Sequence, residues 1–339
     1  MKALVITANG APEVLRIEER ADPKPGPGQV RIAVRAAGIN FADLMARVGI
    51  YPDAPKPPSV VGYEVAGEVE ALGEGVDDVA VGDRVIAGTR FGGYAELAVT
   101  AAANVIPLPD GWSYEEGAAL PVNYATAYAG LVRFGAVAKG ERVLVHAAAG
   151  GVGIAATQIA KLRGAEIFGT ASATKHDAVR AQGVDHPIDY RTKDFRREVR
   201  RLTGETRPLD LALDAIGGSS FRKSFSLLRA GGRLVAFGAS SAMTGDRRDI
   251  PGSLKMLATT PIFHPLQLMS SSRALIGLNL LTLRDDRSTL DEYIEPLREW
   301  AEAGRIRPVV PEALRLERGA DAHRHVQEGR KTGKVVLTV

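Results

Sequence analysis

The sequence predicts an α/β chain in which a β-rich domain is split by an inserted domain built on a doubly wound parallel sheet. Three observations predict it. Residues 1–121 are rich in Gly, Pro and short β-branched runs; the middle of the chain alternates continuous apolar runs with amphipathic stretches; and a last apolar run closes the sequence. At 339 residues the chain is too long for one typical domain and comfortable for two. A chain of this size should bury roughly three quarters of its unfolded surface, so it needs no disulfide or metal to hold it.

Each element has its own signal. "MKALVITANG" reads as a first strand rather than a signal peptide. "QVRIAVRAAGIN", "VAGEVEALG", "DRVIAG" and "YAELAVT" read as further strands punctuated by turns. After "LPVNYATAYAGLVRFGAVAKG" the rhythm changes. "RVLVHA", "EIFGTA", "HPIDY", "LDLALDAIG", "RLVAFG" and "RALIGLNLL" are strand candidates, and between the first two Val152, Ala156, Ile159 and Ala160 share one helix face. Continuous apolar strands separated by amphipathic helices indicate a parallel sheet covered on both faces. A helix at "LDEYIEPLREWAEAGR" and a strand at "KVVLTV" are expected to return to the first domain. The expected boundaries are 1–121, 122–284 and 285–339.

The chain has no Cys, which excludes disulfides, thiolate-bound zinc, iron–sulfur clusters and a cysteine nucleophile. A reducing, cytoplasmic setting is compatible with that count. The net charge of +3 is interleaved; the densest basic run, "RREVRR", lacks aromatic neighbours and reads as a solvated helix face rather than a nucleic-acid patch. No segment approaches the ~18–20 consecutive apolar residues of a membrane span.

"VLVHAAAGGVGIAATQIA" places an apolar strand, a glycine turn and a helix in that order. Glycines let the backbone approach a pyrophosphate, and a helix N-terminus offers free N–H groups and a positive dipole end. The pattern is Ala-x-Gly-x-x-Gly, with Ala148 at the first glycine position. Dinucleotide binding is the leading reading, with Ala149, Gly150, Gly151 and Val152 as contacts and a purely structural turn as the alternative. His146 is expected to be a packed strand-end histidine rather than a catalytic one.

The second strand of the inserted domain bears on which dinucleotide binds. NAD-specific sites usually end that strand in a carboxylate for the ribose 2′-hydroxyl. Here "FGTASATKHD" offers Ser172 and Lys175, which suit a 2′-phosphate, and Tyr190 follows the third strand. NADPH is therefore expected. The alternative is that Lys175 is one more solvated lysine.

A family resemblance now covers nearly the whole chain. "GINFADLMARVGIYP", "GYEVAGEVEALGEGV", "GDRVIAG", "GGYAE", "LPVNYATAYAGL" and "VLVHAAAGGVG" together resemble the medium-chain dehydrogenase/reductases, specifically the zinc-independent quinone oxidoreductases. "PIFHPLQLMSSSRALIGLNLL" further resembles the vesicle-amine-transport-protein branch. The resemblance implies a GroES-like catalytic domain split by a Rossmann domain. In zinc-containing relatives a Cys and the His of a Gly-His-Glu segment hold the metal, whereas Asn40 and Tyr63 stand at those positions here. His323 and His325, two apart on a helix, are no substitute. A metal-free design is expected.

Without a metal, other groups must stabilise charge on the substrate oxygen. The resemblance implies Asn40 and Tyr51 as hydrogen-bond donors and Thr126 beside the nicotinamide. Asn40 as a loop tie and Tyr51 as a packing residue remain open alternatives. Asp43 and Arg47 are read as a pair along a helix before a catalytic one. The resemblance also implies cofactor contacts at Phe237, Gly238, Leu278 and Asn279, with Arg330, and less strongly Lys334, over the 2′-phosphate.

Residues 239–272 form a long connection between the fifth and sixth strands, read as a flexible flap, with a membrane-touching segment a distant second. The apolar sixth strand is expected to pair with its equivalent in a homodimer; a monomer in light scattering at micromolar concentration would overturn this. The function expected is NADPH-dependent hydride transfer to a quinone or similar conjugated carbonyl. The alternatives are a 2-alkenal or enone double-bond reductase and an NADPH-binding protein with little turnover. A small-molecule substrate is expected, with no nucleic acid and no stable membrane insertion.

Overall fold

The computed structural model describes residues 1–243, 245, 249–285 and 287–339. Strands in chain order are β1 (Lys2–Ile6), β2 (Leu15–Glu19), β3 (Gln29–Gly38), β4 (Glu64–Leu72), β5 (Arg84–Gly88), β6 (Leu97–Ala101) and β7 (Val105–Pro107). The middle supplies β8 (Arg142–Val145), β9 (Glu166–Ala171), β10 (His186–Asp189), β11 (Leu209–Asp214), β12 (Leu228–Ala236) and β13 (Ala274–Gly277). The end supplies β14 (Glu312–Arg315) and β15 (Val335–Thr338).

Two compact units emerge. One is made chiefly of Met1–Asn123 with Arg298–Val339, the other of Tyr124–Thr244 with Asp249–Leu297. In the first unit, β14, β15, β3, β4, β5 and β7 follow one another across a sheet, with β6 also on β3. The last strand of the chain thus lies antiparallel to β3, Val336 opposite Gly38. Small residues let layers close: Ala36, Ala66, Ala118 and Val336 form one dry cluster. Gly38 is required by a near approach, because a Cβ there would lie 2.3 Å from the Ala118 carbonyl and 2.6 Å from the Glu64 carboxylate.

The second unit has one parallel sheet in the order β10-β9-β8-β11-β12-β13. That order reverses between β8 and β11, the switch point at which open α/β sheets bind ligands beyond their strand ends. Its core gathers Leu144, Phe168, Leu209, Ala212 and Leu234 from the strands with Val199 and Phe225 from the covering helices. The sixth strand is shorter than its apolar run suggests. It stops at Gly277, and the Asn279 side chain accepts the Leu281 N–H (3.1 Å) at the start of a helix over Leu280–Asp285.

The connection read as an irregular flap is instead largely helical where described, with helices at Ile250–Thr259 and Pro265–Ser271. Asp249 caps the first by accepting the Gly252 N–H (2.8 Å), and Pro265 opens the second. Phe263 packs edge-on to Phe225 at 4.8 Å, so the segment is anchored to the core. Ile250, Leu254, Leu257, Ile262, Leu266 and Met269 are exposed along it. Among the described residues no helix is long and apolar enough to cross a membrane.

Candidate functional site

In the second unit, β8 runs into a turn at Ala147–Gly150, and the helix Gly151–Leu162 begins with Gly150 as its N-cap. Ala147 takes a left-handed backbone (φ 52°), which costs a residue with a Cβ about 1 kcal/mol and needs support from its surroundings. The Thr170 hydroxyl accepts the Ala147 N–H (3.2 Å), and the Thr170 carbonyl accepts that of Ala148 (3.0 Å). Gly153 has no alternative, since a Cβ would fall 2.3 Å from the Ala147 carbonyl. The first-turn N–H groups of this helix have no partner within it, and the dipole adds positive potential there. This is a cradle that a pyrophosphate fits, and it contains Ala149, Gly150, Gly151 and Val152.

At the ends of β9 and β10 the chain gathers polar and cationic groups. Ser172 is buried, with its hydroxyl 3.3 Å from that of Thr174. Lys175 is half-buried, and its ammonium is held below the usual lysine range by burial first and then by nearby Arg191. Arg191 escaped the sequence reading; its only signal was a basic residue directly after the third parallel strand. Two cations kept this near one another gain when an anion joins them. Asp189, at the end of β10, is committed to the turn itself, accepting the Arg191 N–H (3.1 Å) and the Thr192 hydroxyl (2.8 Å). Tyr190 beside it is 55% exposed.

Beyond β12 and β13 lies a pocket of about 460 Å³ lined by Phe237, Gly238, Leu278 and Asn279 together with Phe221. The structure thus brings four of the expected cofactor contacts to one cavity. Thr126 is buried on the helix Pro121–Tyr128.

The first unit holds a buried polar core. Asn40 precedes the helix Phe41–Arg47, and its carboxamide is engaged on both atoms. Its Nδ2 donates to Glu64 (2.9 Å) and its Oδ1 accepts from the Lys334 ammonium (2.6 Å). Lys334 also lies 2.5 Å from Glu64, and both side chains are buried. Glu64 further accepts the Val122 N–H (2.8 Å). Lys334 is therefore part of this core, whereas Arg330 is exposed and paired with Glu328.

Asp43 is fully buried and accepts from the Asn40 N–H (2.7 Å), the Gly62 N–H (3.1 Å) and the Tyr94 hydroxyl (2.8 Å). Burial pushes its carboxyl up to about 7 against those hydrogen bonds. Tyr51 is half-buried and meets Tyr63 edge-on at 6.4 Å; Tyr63 in turn tilts over Phe91 at 5.4 Å. The Tyr51 phenol is pushed up to about 12, by burial first and then by Asp53.

Two family models match separate stretches of the chain. A model of the alcohol dehydrogenase GroES-like domain matches residues 26–110, and one of zinc-binding dehydrogenases matches 182–337. A Danio rerio protein described as a synaptic vesicle membrane protein VAT-1 homolog is 39% identical over 339 residues, covering 99% of this chain and 70% of its own. The chain belongs to the medium-chain dehydrogenase/reductase superfamily, in its VAT-1-like branch. As a member of that superfamily it is an oxidoreductase. The quinone oxidoreductase of Pseudomonas syringae pv. Tomato DC3000 has a TM-score of 0.87 at 32% identity, covering 100% of this chain and 99% of that one. A mycobacterial protein solved in complex with NADPH has a TM-score of 0.87 at 32% identity, with 100% of each chain covered.

One matched medium-chain dehydrogenase model carries zinc in its name, and the residues here do not fit that metal. Asn40 already binds the Lys334 cation. The Tyr63 phenol is raised by burial first and then by Asp43, the opposite of what a metal-binding phenolate needs. Among the described residues no group of three or more His, Cys, Asp or Glu side chains converges. His325 sits 2.7 Å from Glu312, while His323 is fully buried and neither ring nitrogen has a hydrogen-bond partner.

Burial first, and then Arg47, lowers the His323 imidazole to about 3. Its folded value lies below the unfolded one, so the unfolded state takes up the proton first: no stability is lost to this group above about pH 6.5, and stability is lost as pH falls towards 3. His323→Leu should therefore flatten acid unfolding in that window. It should also raise neutral stability by about 1–3 kcal/mol, the scale of an unsatisfied buried polar group. Circular dichroism melts at pH 7 and pH 4.5 check both; an unchanged pH dependence would refute the assignment.

Proposed function

We propose that the chain is a zinc-independent reductase that uses NADPH to pass hydride to a quinone or similar conjugated carbonyl. The observation that carries the cofactor choice is the place of Ser172 and Lys175 directly after β9, where the chain segment itself supplies a hydroxyl and a cation rather than a carboxylate, with Arg191 near enough to Lys175 to repel it. Those cations would hold a 2′-phosphate, and the NADPH-bound mycobacterial relative supports the choice. When bound, NADPH supplies a hydride from its dihydronicotinamide ring.

The chain's own residues do the rest. The turn around Gly150 and the helix N-terminus hold the pyrophosphate, and the pocket at Phe237, Leu278 and Asn279 positions the nicotinamide end. Tyr51, which keeps its proton across the physiological range, donates a hydrogen bond to the oxygen that gains charge. Asn40, spent on Glu64 and Lys334, serves in this reading as the loop tie rather than as a second donor. Hydride adds to the acceptor and solvent supplies the accompanying proton, so a quinone leaves as its hydroquinone.

The test is oxidation of NADPH and NADH by the purified protein with a naphthoquinone, a 2-alkenal and a simple ketone. Quinone turnover with NADPH preferred is expected. Turnover of the alkenal alone would replace the quinone with an enone double bond as substrate. NADPH binding with no turnover of any acceptor would favour a binding protein.

A further inference from the structure

His146 sits behind the dinucleotide turn, 3% exposed, and both its ring nitrogens are used. Nδ1 lies 3.1 Å from the Thr170 hydroxyl and Nε2 lies 2.9 Å from that of Ser224. The Ser224 hydroxyl also reaches Asp214 at 2.8 Å. Asp214 accepts from the Ser220 hydroxyl (2.7 Å) and from the backbone N–H groups of Ile216 (2.8 Å) and Gly217 (3.3 Å) as well.

The hydrogen-bond network assigns every proton along this chain of groups. A carboxylate only accepts, so Ser224 gives its one proton to Asp214 and must accept from His146 Nε2–H. Burial disfavours the charged imidazole, so Nδ1 carries no proton and accepts from Thr170. The Thr170 oxygen is then free to accept the Ala147 N–H. The direction is uniform: Ala147 N–H to Thr170, Thr170 to His146, His146 to Ser224, Ser224 to Asp214. Hydrogen bonds aligned this way polarise and reinforce one another.

The two ends of this relay are the two ends of the candidate cofactor site. Ala147 is the strained residue of the pyrophosphate turn. Ser224 lies on the helix Ser219–Phe225, whose Phe221 lines the pocket with Phe237 and Leu278. Asp214 fixes the adjoining turn through Ile216 and Gly217, and the Ser240 N–H binds the Ala215 carbonyl (3.0 Å) beyond β12. We propose that His146 is a positioning residue of the dinucleotide site, holding the pyrophosphate turn through Thr170 and the Phe221 helix through Ser224 and Asp214 so that both keep one geometry.

This role rests on the dinucleotide reading of the second unit. It does not depend on which dinucleotide binds, because the pyrophosphate is common to NADPH and NADH. The test is therefore the dissociation constants of both cofactors for Thr170→Val, Ser224→Ala and their combination, with Thr170→Ser as the conservative control. Thr170→Val keeps shape and loses the hydroxyl; it should weaken both cofactors by about three- to tenfold, equally. Thr170→Ser should restore binding to within about twofold of the unaltered protein. The double variant should be no weaker than the weaker single, because either change breaks the same relay.

Losses that multiply in the double variant, or a Thr170→Ser no better than Thr170→Val, would overturn the proposal. If Thr170→Val fails to fold, Ser224→Ala alone decides: it stands away from the turn, and unchanged binding of both cofactors would refute the relay. An unaltered protein that binds neither dinucleotide defeats the dinucleotide reading itself. Unaltered binding with indifferent variants defeats only the role of His146.

Discussion

If NADPH binds as proposed, Lys175→Ala should weaken it by about 1.5–3 kcal/mol, the scale of hydrogen bonds to charged groups, and leave NADH within about twofold. The asymmetry follows from where the residue lies. Lys175 stands at the end of β9, where the ribose of a bound dinucleotide would fall, and the pyrophosphate turn is a separate part of the site. Arg191→Ala should act in the same direction. The double variant should lose more than the sum of the two, since removing one cation lowers the repulsion felt by the other, which then partly compensates in each single variant. Titration of both reduced cofactors by fluorescence against the unaltered protein and the three variants measures all eight values. Equal weakening of NADH would move Lys175 from the 2′-phosphate to a structural role.

The second large effect is on stability. Lys334→Met removes the cation from a buried cluster and leaves the Glu64 carboxylate beside Asn40 with no counter-charge. Breaking a buried ion pair from one side costs about 3–5 kcal/mol, against about 0–1 kcal/mol for an exposed pair. Arg330→Ala is the internal comparison, because Arg330 pairs with Glu328 at the surface. The urea midpoint should fall steeply for Lys334→Met and hardly at all for Arg330→Ala. Adding Glu64→Gln to Lys334→Met should recover part of the loss, since the uncompensated charge is then gone. A Lys334→Met protein as stable as the unaltered one would show that water reaches Glu64 freely.

Much of the fold was legible because its signals are local. Each of the six parallel strands carries an apolar run, and the glycine turn between β8 and its helix has a fixed place in that pattern. Two local signals were misread. The run "RALIGLNLL" is apolar throughout, yet the Asn279 side chain meeting the Leu281 N–H ends the strand and starts a helix. The connection after β12 is read as a flexible flap from its length alone, whereas caps at Asp249 and at His264–Pro265 start two short helices within it.

The candidate site is legible in the sequence only where its residues follow a strand. Ala149 to Val152, Ser172 and Lys175 sit within or just after recognisable strands, so their placement follows from the strands themselves. The polar core does not. Asn40 and Lys334 are 294 residues apart and His146 and Ser224 are 78 apart, so no spacing rule joins them. Arg191 was missed because one arginine after a strand looks like any solvated cation until Lys175 is seen beside it.

The most direct measurement is the ratio of kcat/KM for NADPH over NADH with a naphthoquinone as acceptor, for the unaltered protein and for Lys175→Ala/Arg191→Ala. A ratio above about tenfold, more than about 1.4 kcal/mol, is expected for the unaltered protein, falling towards unity in the variant. A ratio near unity in both would contradict NADPH as the cofactor, and no quinone turnover with either cofactor would contradict the reductase.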